Sequence, residues 1–158
     1  RNTPALGGGA LWDVSSYTVS ALLPLFPNQK VKVIFSEVLT KKDDQVDSEG
    51  RAVLRFSGGS TAYLEWGIGV AYKNEIDVWA KDGSFYTDKI FSKRKGFHPQ
   101  YYIRDLNGNE VVEEGDESDQ FINMFRNFLS IMNDDSKALS ERKSILDRAK
   151  LMNDIINF

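Results

Sequence analysis

Residues 52–66 read Ala52-Val53-Leu54-Arg55-Phe56-Ser57-Gly58-Gly59-Ser60-Thr61-Ala62-Tyr63-Leu64-Glu65-Trp66. Ala52, Leu54 and Phe56 alternate with polar or smaller neighbours, as do Ala62, Leu64 and Trp66, the two-residue period of strands with one buried face. Ser57-Gly58-Gly59-Ser60 between them suits the positive backbone angles of a tight turn, so the stretch predicts an antiparallel hairpin. Val31, Val33 and Phe35 extend the period upstream and Ile76 and Val78 downstream, with further reversal signals at Asp82-Gly83 and Asn107-Gly108. Consecutive hairpins give an antiparallel sheet. Lys41 to Gly50 is polar and charged, an exposed connection between the first two strands.

Helical periods flank this meander. Before it, Ala10 onward reads as a helix until Pro24, with Leu11, Val14, Thr18, Ala21, Leu22 and Leu25 as its inward stripe. After Gly115, Phe121, Phe125, Phe128, Leu129 and Met132 follow the acidic start Asp116-Glu117-Ser118-Asp119, where negative charge suits the helix dipole. A second helix follows Asn133-Asp134-Asp135-Ser136, with Leu139, Ile145, Ala149, Met152 and Ile156 in step. The order predicts an α+β fold: an open, mainly antiparallel sheet with helices packed on one face, in a single domain over 1–158. Tyr63, Glu65, Tyr72 and Tyr86 are expected on the opposite, open face, which meets solvent or another subunit.

A chain of 158 residues, 41% hydrophobic, suffices for one domain that buries about 70% of its unfolded surface. Cysteine is absent and His98 is the sole histidine, which excludes disulfide scaffolds, thiol nucleophiles and the common zinc sites; no metal is expected. A net charge of -3 gives no drive toward nucleic acid or an anionic membrane. No stretch has the roughly 20 apolar residues of a span, and a cytoplasmic location is expected. Arg1 is not a methionine, which suggests a chain trimmed or excised from a longer one.

Two constellations carry chemistry. Asp13 and Tyr17, four apart, share one helix face behind Gly7-Gly8-Gly9. They serve either as a helix-start cap and a packed ring, or as a carboxylate that holds a polar substrate beside a phenol that moves a proton. A phenol normally titrates near 10, so the second role needs a neighbouring cation. Lys89, Lys93, Arg94, Lys95 and His98, interleaved with Phe91 and Phe97, form either a solvated loop or an anion subsite. The carboxylates Asp43, Asp44, Asp47 and Glu49, and those from Glu110 to Asp119, lack calcium-loop spacing and read as solvated turn and helix-start charge. Gly67-Ile68-Gly69 precedes no helix and is no dinucleotide fingerprint.

The opening Gly7-Gly8-Gly9-Ala10-Leu11-Trp12-Asp13-Val14-Ser15-Ser16-Tyr17 resembles the start of the C-terminal domain in the glucose-fructose oxidoreductase, inositol dehydrogenase and rhizopine catabolism (Gfo/Idh/MocA) family. Arg55-Phe56-Ser57-Gly58-Gly59, Lys81-Asp82-Gly83-Ser84, Lys89-Ile90-Phe91 and the two closing helices extend the likeness over nearly the whole chain. The resemblance implies a glyceraldehyde-3-phosphate dehydrogenase-like C-terminal domain that supplies substrate contacts and, through its sheet, a homodimer or higher oligomer. Its partner would be an N-terminal Rossmann domain of the same protein, which binds NAD or NADP and holds a Glu-Lys-Pro lysine; neither that motif nor a fingerprint occurs here. Tyr17 takes the place of the family's acid/base residue and Asp13 that of its motif aspartate, while Ser15 departs from the usual glycine. Lys89, Lys93, Arg94, Lys95 and His98 fall where relatives line the substrate. The expected activity is hydride transfer on a sugar or sugar nucleotide by the full-length enzyme, with the fragment alone inactive and free of cofactor. The alternative is a non-catalytic binding or assembly module.

Overall fold

The computed structural model describes residues 3–91 and 93–158; Arg1, read above as the mark of a longer chain, lies outside them, as do Asn2 and Ser92. Two compact units divide the chain, Arg1–Val70 with Leu139–Phe158, and Ala71–Ala138. The class is α+β with antiparallel pairing throughout, as the hairpin signals require.

In the first unit β1 (Val31–Leu39), β2 (Glu49–Phe56) and β3 (Thr61–Gly67) form a three-stranded sheet in that order. Alternation puts Ala52, Leu54 and Phe56 of β2 on the same side as Leu64 and Trp66 of β3, with Leu54 opposite Ala62 and Ala52 opposite Leu64. That side is covered by the helix beginning at Ala10 and by the last turns of α3 (Asp135–Ile156), through Leu11, Val19, Leu22, Leu151, Met152 and Ile155. Ser36 donates its hydroxyl to the Ile155 carbonyl at 2.7 Å, which satisfies an acceptor left over at the end of α3. Helices on one sheet face therefore hold for this unit.

β1 departs from the expected pattern. The pairing slips between Val33 and Phe35, so that Val33 faces Leu54 whereas Phe35 faces Val53. This bulge reverses the phase of everything after it. Phe35, expected inward, is 43% exposed, and Ser36 takes the position opposite Ala52.

The second unit holds β4 (Glu75–Ala80), β5 (Gly83–Asp88), β6 (Gln100–Arg104) and β7 (Glu110–Glu114), a four-stranded meander, with α2 (Gln120–Met132). Gly83 is required by more than its turn: its φ is 156°, and a Cβ there would lie 2.3 Å from the Arg104 carbonyl oxygen of the neighbouring strand. Asp119 caps α2, its Oδ1 accepting from the Phe121 and Ile122 amides at 2.9 and 3.1 Å. The expected apolar stripe of α2 exists but is not buried, Phe121, Phe125, Phe128, Leu129 and Met132 being 56–64% exposed. Periodicity reports that a helix is amphipathic, not that an opposing surface meets it. The single aromatic face is corrected too: Tyr63 and Glu65 lie on β3, Tyr72 in no strand, and Tyr86 on β5 of the other sheet.

Candidate active site

Thr3 to Leu6 make one short turn that ends at Gly7 in the left-handed region, φ 69°. Gly9 follows at φ 117°, and the chain enters a π-helical turn, Leu11–Ser15, which continues as α1 (Ser16–Leu22). Single π turns concentrate at functional sites because they carry one residue more than an α turn. Here side chains take up the carbonyls. Ser15, fully buried, donates to the Leu11 carbonyl at 2.5 Å, Thr18 to Ser15 at 2.8 Å and Ser20 to Ser16 at 2.6 Å. Ser15 thus has a bonding role that the glycine of the resembling motif lacks. Of the expected stripe Leu11 and Leu22 are buried and Val14 packs against the core, while Leu25 is 52% exposed and Ser15 and Val19 join the buried face.

Asp13 lies in the π turn and Tyr17 one turn on, in α1. Asp13 is half-buried and lines a cleft of about 310 Å³ with Thr3, Leu6, Gly7, Gly8 and Trp12. Tyr17 is 55% exposed. The helix start itself is capped from 36 residues away, by Asp47, whose Oδ2 accepts from the Leu11 amide at 2.6 Å. Asp47, read above as solvated turn charge, is corrected by this contact. No period or motif marks it, since the signal is a long-range contact.

The basic run belongs to the second unit. Lys89 has φ 52°, a strained angle for a residue with a side chain, and such corners cluster at ligand-binding sites. Asn74 holds the corner: its carbonyl accepts from the Lys89 amide at 2.5 Å, and its Oδ1 from the Phe91 amide at 3.0 Å. The Lys89 ammonium sits 5.4 Å above the Phe97 ring and 3.6 Å from Asp88 Oδ2. His98 Nδ1 faces the Gly115 carbonyl at 3.1 Å, the tautomer that donates there, and Glu114 Oε1 at 3.8 Å. Glu117 Oε1 accepts from the Gly96 amide at 2.9 Å. The acidic segment 114–117 therefore fastens the basic loop, while Lys93 is half-buried and Arg94 and Lys95 are exposed. Asn74 was not legible, because an asparagine before a strand has many roles. Replacing it by alanine removes the acceptor of the Phe91 amide, at a cost of about 1 kcal/mol. Amide exchange should then quicken about fivefold at Phe91, while Lys89, bonded to the Asn74 backbone carbonyl that alanine keeps, and β4 and β6 change little.

Burial and the facing Glu75 carboxylate, 3.3 Å from the Tyr86 hydroxyl, hold that phenol above the ordinary tyrosine value. Among the described residues no three His, Asp or Glu gather as metal ligands, and no helix is long and apolar enough to cross a membrane.

Residues 1–86 match the family described as GFO/IDH/MocA C-terminal domain. The chain is similar to the dTDP-3,4-didehydro-2,6-dideoxy-alpha-D-glucose 3-reductase of Actinomadura kijaniata, 26% identical over 117 residues, 74% of this chain and 32% of that protein. The reductase of the same name from Streptomyces antibioticus is 26% identical over 129 residues, 82% of this chain and 39% of that protein. A crystal structure of a point variant of a 3-ketoreductase from Actinomadura kijaniata, in complex with TDP-benzene and NADP, superposes with a TM-score of 0.87 at 23% identity. It covers 96% of this chain and 48% of that one, a likeness of fold. The chain thus spans about a third of the reductases' length and about half of the crystallised chain.

Proposed function

Since the chain belongs to the GFO/IDH/MocA C-terminal domain family, we propose that it is the substrate side of an NADP-dependent reductase acting on a nucleotide-linked keto sugar. The observation that carries this reading is half-buried Asp13, in the π turn, lining a cleft with Gly7, Gly8 and Trp12, with exposed Tyr17 four residues on in α1. The reductases similar to this chain act, by name, on a dTDP-linked sugar.

The described residues form antiparallel sheets with no βαβ unit, so they do not fit a dinucleotide, and its binding is assigned to the rest of a full-length protein. NADPH bound there would supply a hydride for the carbonyl carbon, leaving NADP+. This chain's residues do the rest. Asp13 accepts hydrogen bonds from sugar hydroxyls and orients the ring, and Tyr17 gives its proton to the carbonyl oxygen as that oxygen gains charge. Exposure of Tyr17 lets solvent return the proton. Taken by itself, the basic loop of the second unit, braced by Asn74 and Glu117, exposes Arg94 and Lys95 and with Lys89, Lys93 and His98 makes an anion subsite of the charge that a diphosphate needs. Reduction runs in the cytoplasm, where NADPH is supplied, and the outward side of the first sheet, around Tyr63, carries a contact between copies.

The decisive test follows NADPH oxidation by the full-length protein with dTDP-linked keto sugars, free keto sugars and dTDP alone. Turnover confined to the nucleotide-linked sugars is expected, with none from the isolated 158-residue chain. Equal turnover of free sugars removes the diphosphate subsite. No turnover, with dTDP-sugar binding retained, favours the non-catalytic binding module.

A further inference from the structure

We propose that Asp47 is a positioning residue: a latch from the β1–β2 connection that fixes how the chain enters the helix carrying Asp13 and Tyr17. The inference rests on the reading that this helix serves the reductase. Asp47 grips two successive residues, its Oδ2 accepting from the Leu11 amide at 2.6 Å and its carbonyl from the Ala10 amide at 3.0 Å. Ala10 and Leu11 are fully buried, so neither amide has water as an alternative partner. A carboxylate bond to a buried amide at a helix start is charge-assisted and favoured by the helix dipole.

The latch is anchored on its own side as well. The next residue, Ser48, donates its amide to the Leu39 carbonyl at 2.9 Å, and its carbonyl accepts from the Ile68 amide at 2.8 Å. Asp47 is thereby tied to the ends of β1 and β3. Gly9 is fitted to it: a Cβ there would lie 2.1 Å from Asp47 Oδ1, at a φ of 117° that side chains rarely adopt. The third glycine of the triplet therefore admits the latch. With the Leu11 amide already filled by a carboxylate, the glycine-rich entry is unsuited to a phosphate. The cleft beside Asp13 then takes the hydroxyl-bearing sugar, not its diphosphate.

The test compares Asp47→Ala, Asp47→Asn and Gly9→Ala in the full-length protein, by hydrogen exchange of peptides and by steady-state kinetics. Asp47→Ala should speed exchange in residues 9–17 about tenfold or more, leave 50–66 within about threefold, and lower kcat about tenfold with KM nearly constant. Asp47→Asn keeps an acceptor oxygen and should recover most of both losses. Gly9→Ala crowds the same carboxylate and adds the strain of its own φ, so its effect on exchange in 9–17 should equal or exceed that of Asp47→Ala, with the strain persisting in the double variant. Unchanged exchange in 9–17, acceleration spread evenly over the unit, or a rise in KM at constant kcat would overturn the latch. If Tyr17→Phe leaves turnover intact, the reductase reading falls, while the exchange pattern still decides the latch on its own.

Discussion

Tyr17→Phe in the full-length protein should lower kcat by about 100- to 10,000-fold, the range that a positioned proton donor contributes. The variant keeps the ring and loses one oxygen, so packing and sugar contacts persist and KM should move by less than about threefold. Tyr17 is exposed on a helix whose other face, Leu11, Ser15, Val19 and Leu22, is buried, so the change should leave the fold intact. Asp13→Asn gives the contrasting profile, because it weakens hydrogen bonds to the substrate in ground and transition states alike. The checks are steady-state kinetics and direct titration of the keto sugar. A loss of turnover under about threefold would remove Tyr17 from the chemistry.

The largest stability effect is expected from Phe56→Ala, a loss of about 3–5 kcal/mol. Phe56 is 2% exposed, pairs with Val31 in the sheet and stacks on Phe26 with ring centroids 3.9 Å apart. Alanine would leave a void at the end of the core where β2 turns into β3. Such a loss is a large share of the 5–15 kcal/mol that holds a typical domain folded. Trp66, buried in the same core, reports the transition by fluorescence in urea, whereas Trp79, 95% exposed, does not. Phe56→Leu should recover most of the loss. A cost below about 1 kcal/mol for alanine would mean that the core closes without this stack.

Local periodicity made the hairpins and helices legible, because turn residues and alternation act over a few neighbours. Ser57-Gly58-Gly59-Ser60, Asp82-Gly83 and Asn107-Gly108 all stand at reversals between paired strands. Features set by contacts across the fold were not legible. The β1 bulge turned Phe35 outward because Ser36 reaches Ile155, 119 residues away. Ser15 and Val19 join the buried face beside Leu11 and Leu22, with the Ser15 hydroxyl bonding back to the Leu11 carbonyl inside the π turn. Asp13, Tyr17 and the basic run were legible as residue types in a resembling pattern. Asp47 and Asn74, which brace them, were not, since each works through backbone amides distant in sequence.

The π turn has a consequence for how this helix tolerates changes of length. Elsewhere in an α-helix the loss of one residue rotates everything beyond it by about 100°, which would swing a side chain off its face. A π turn already stores one surplus residue. Deleting a residue between Leu11 and Ser15 can restore a plain α turn without rotating Gly9 on one side against Val19 and Leu22 on the other. Within Leu11–Ser15, then, the helix can shorten by one residue while Tyr17 keeps its bearing.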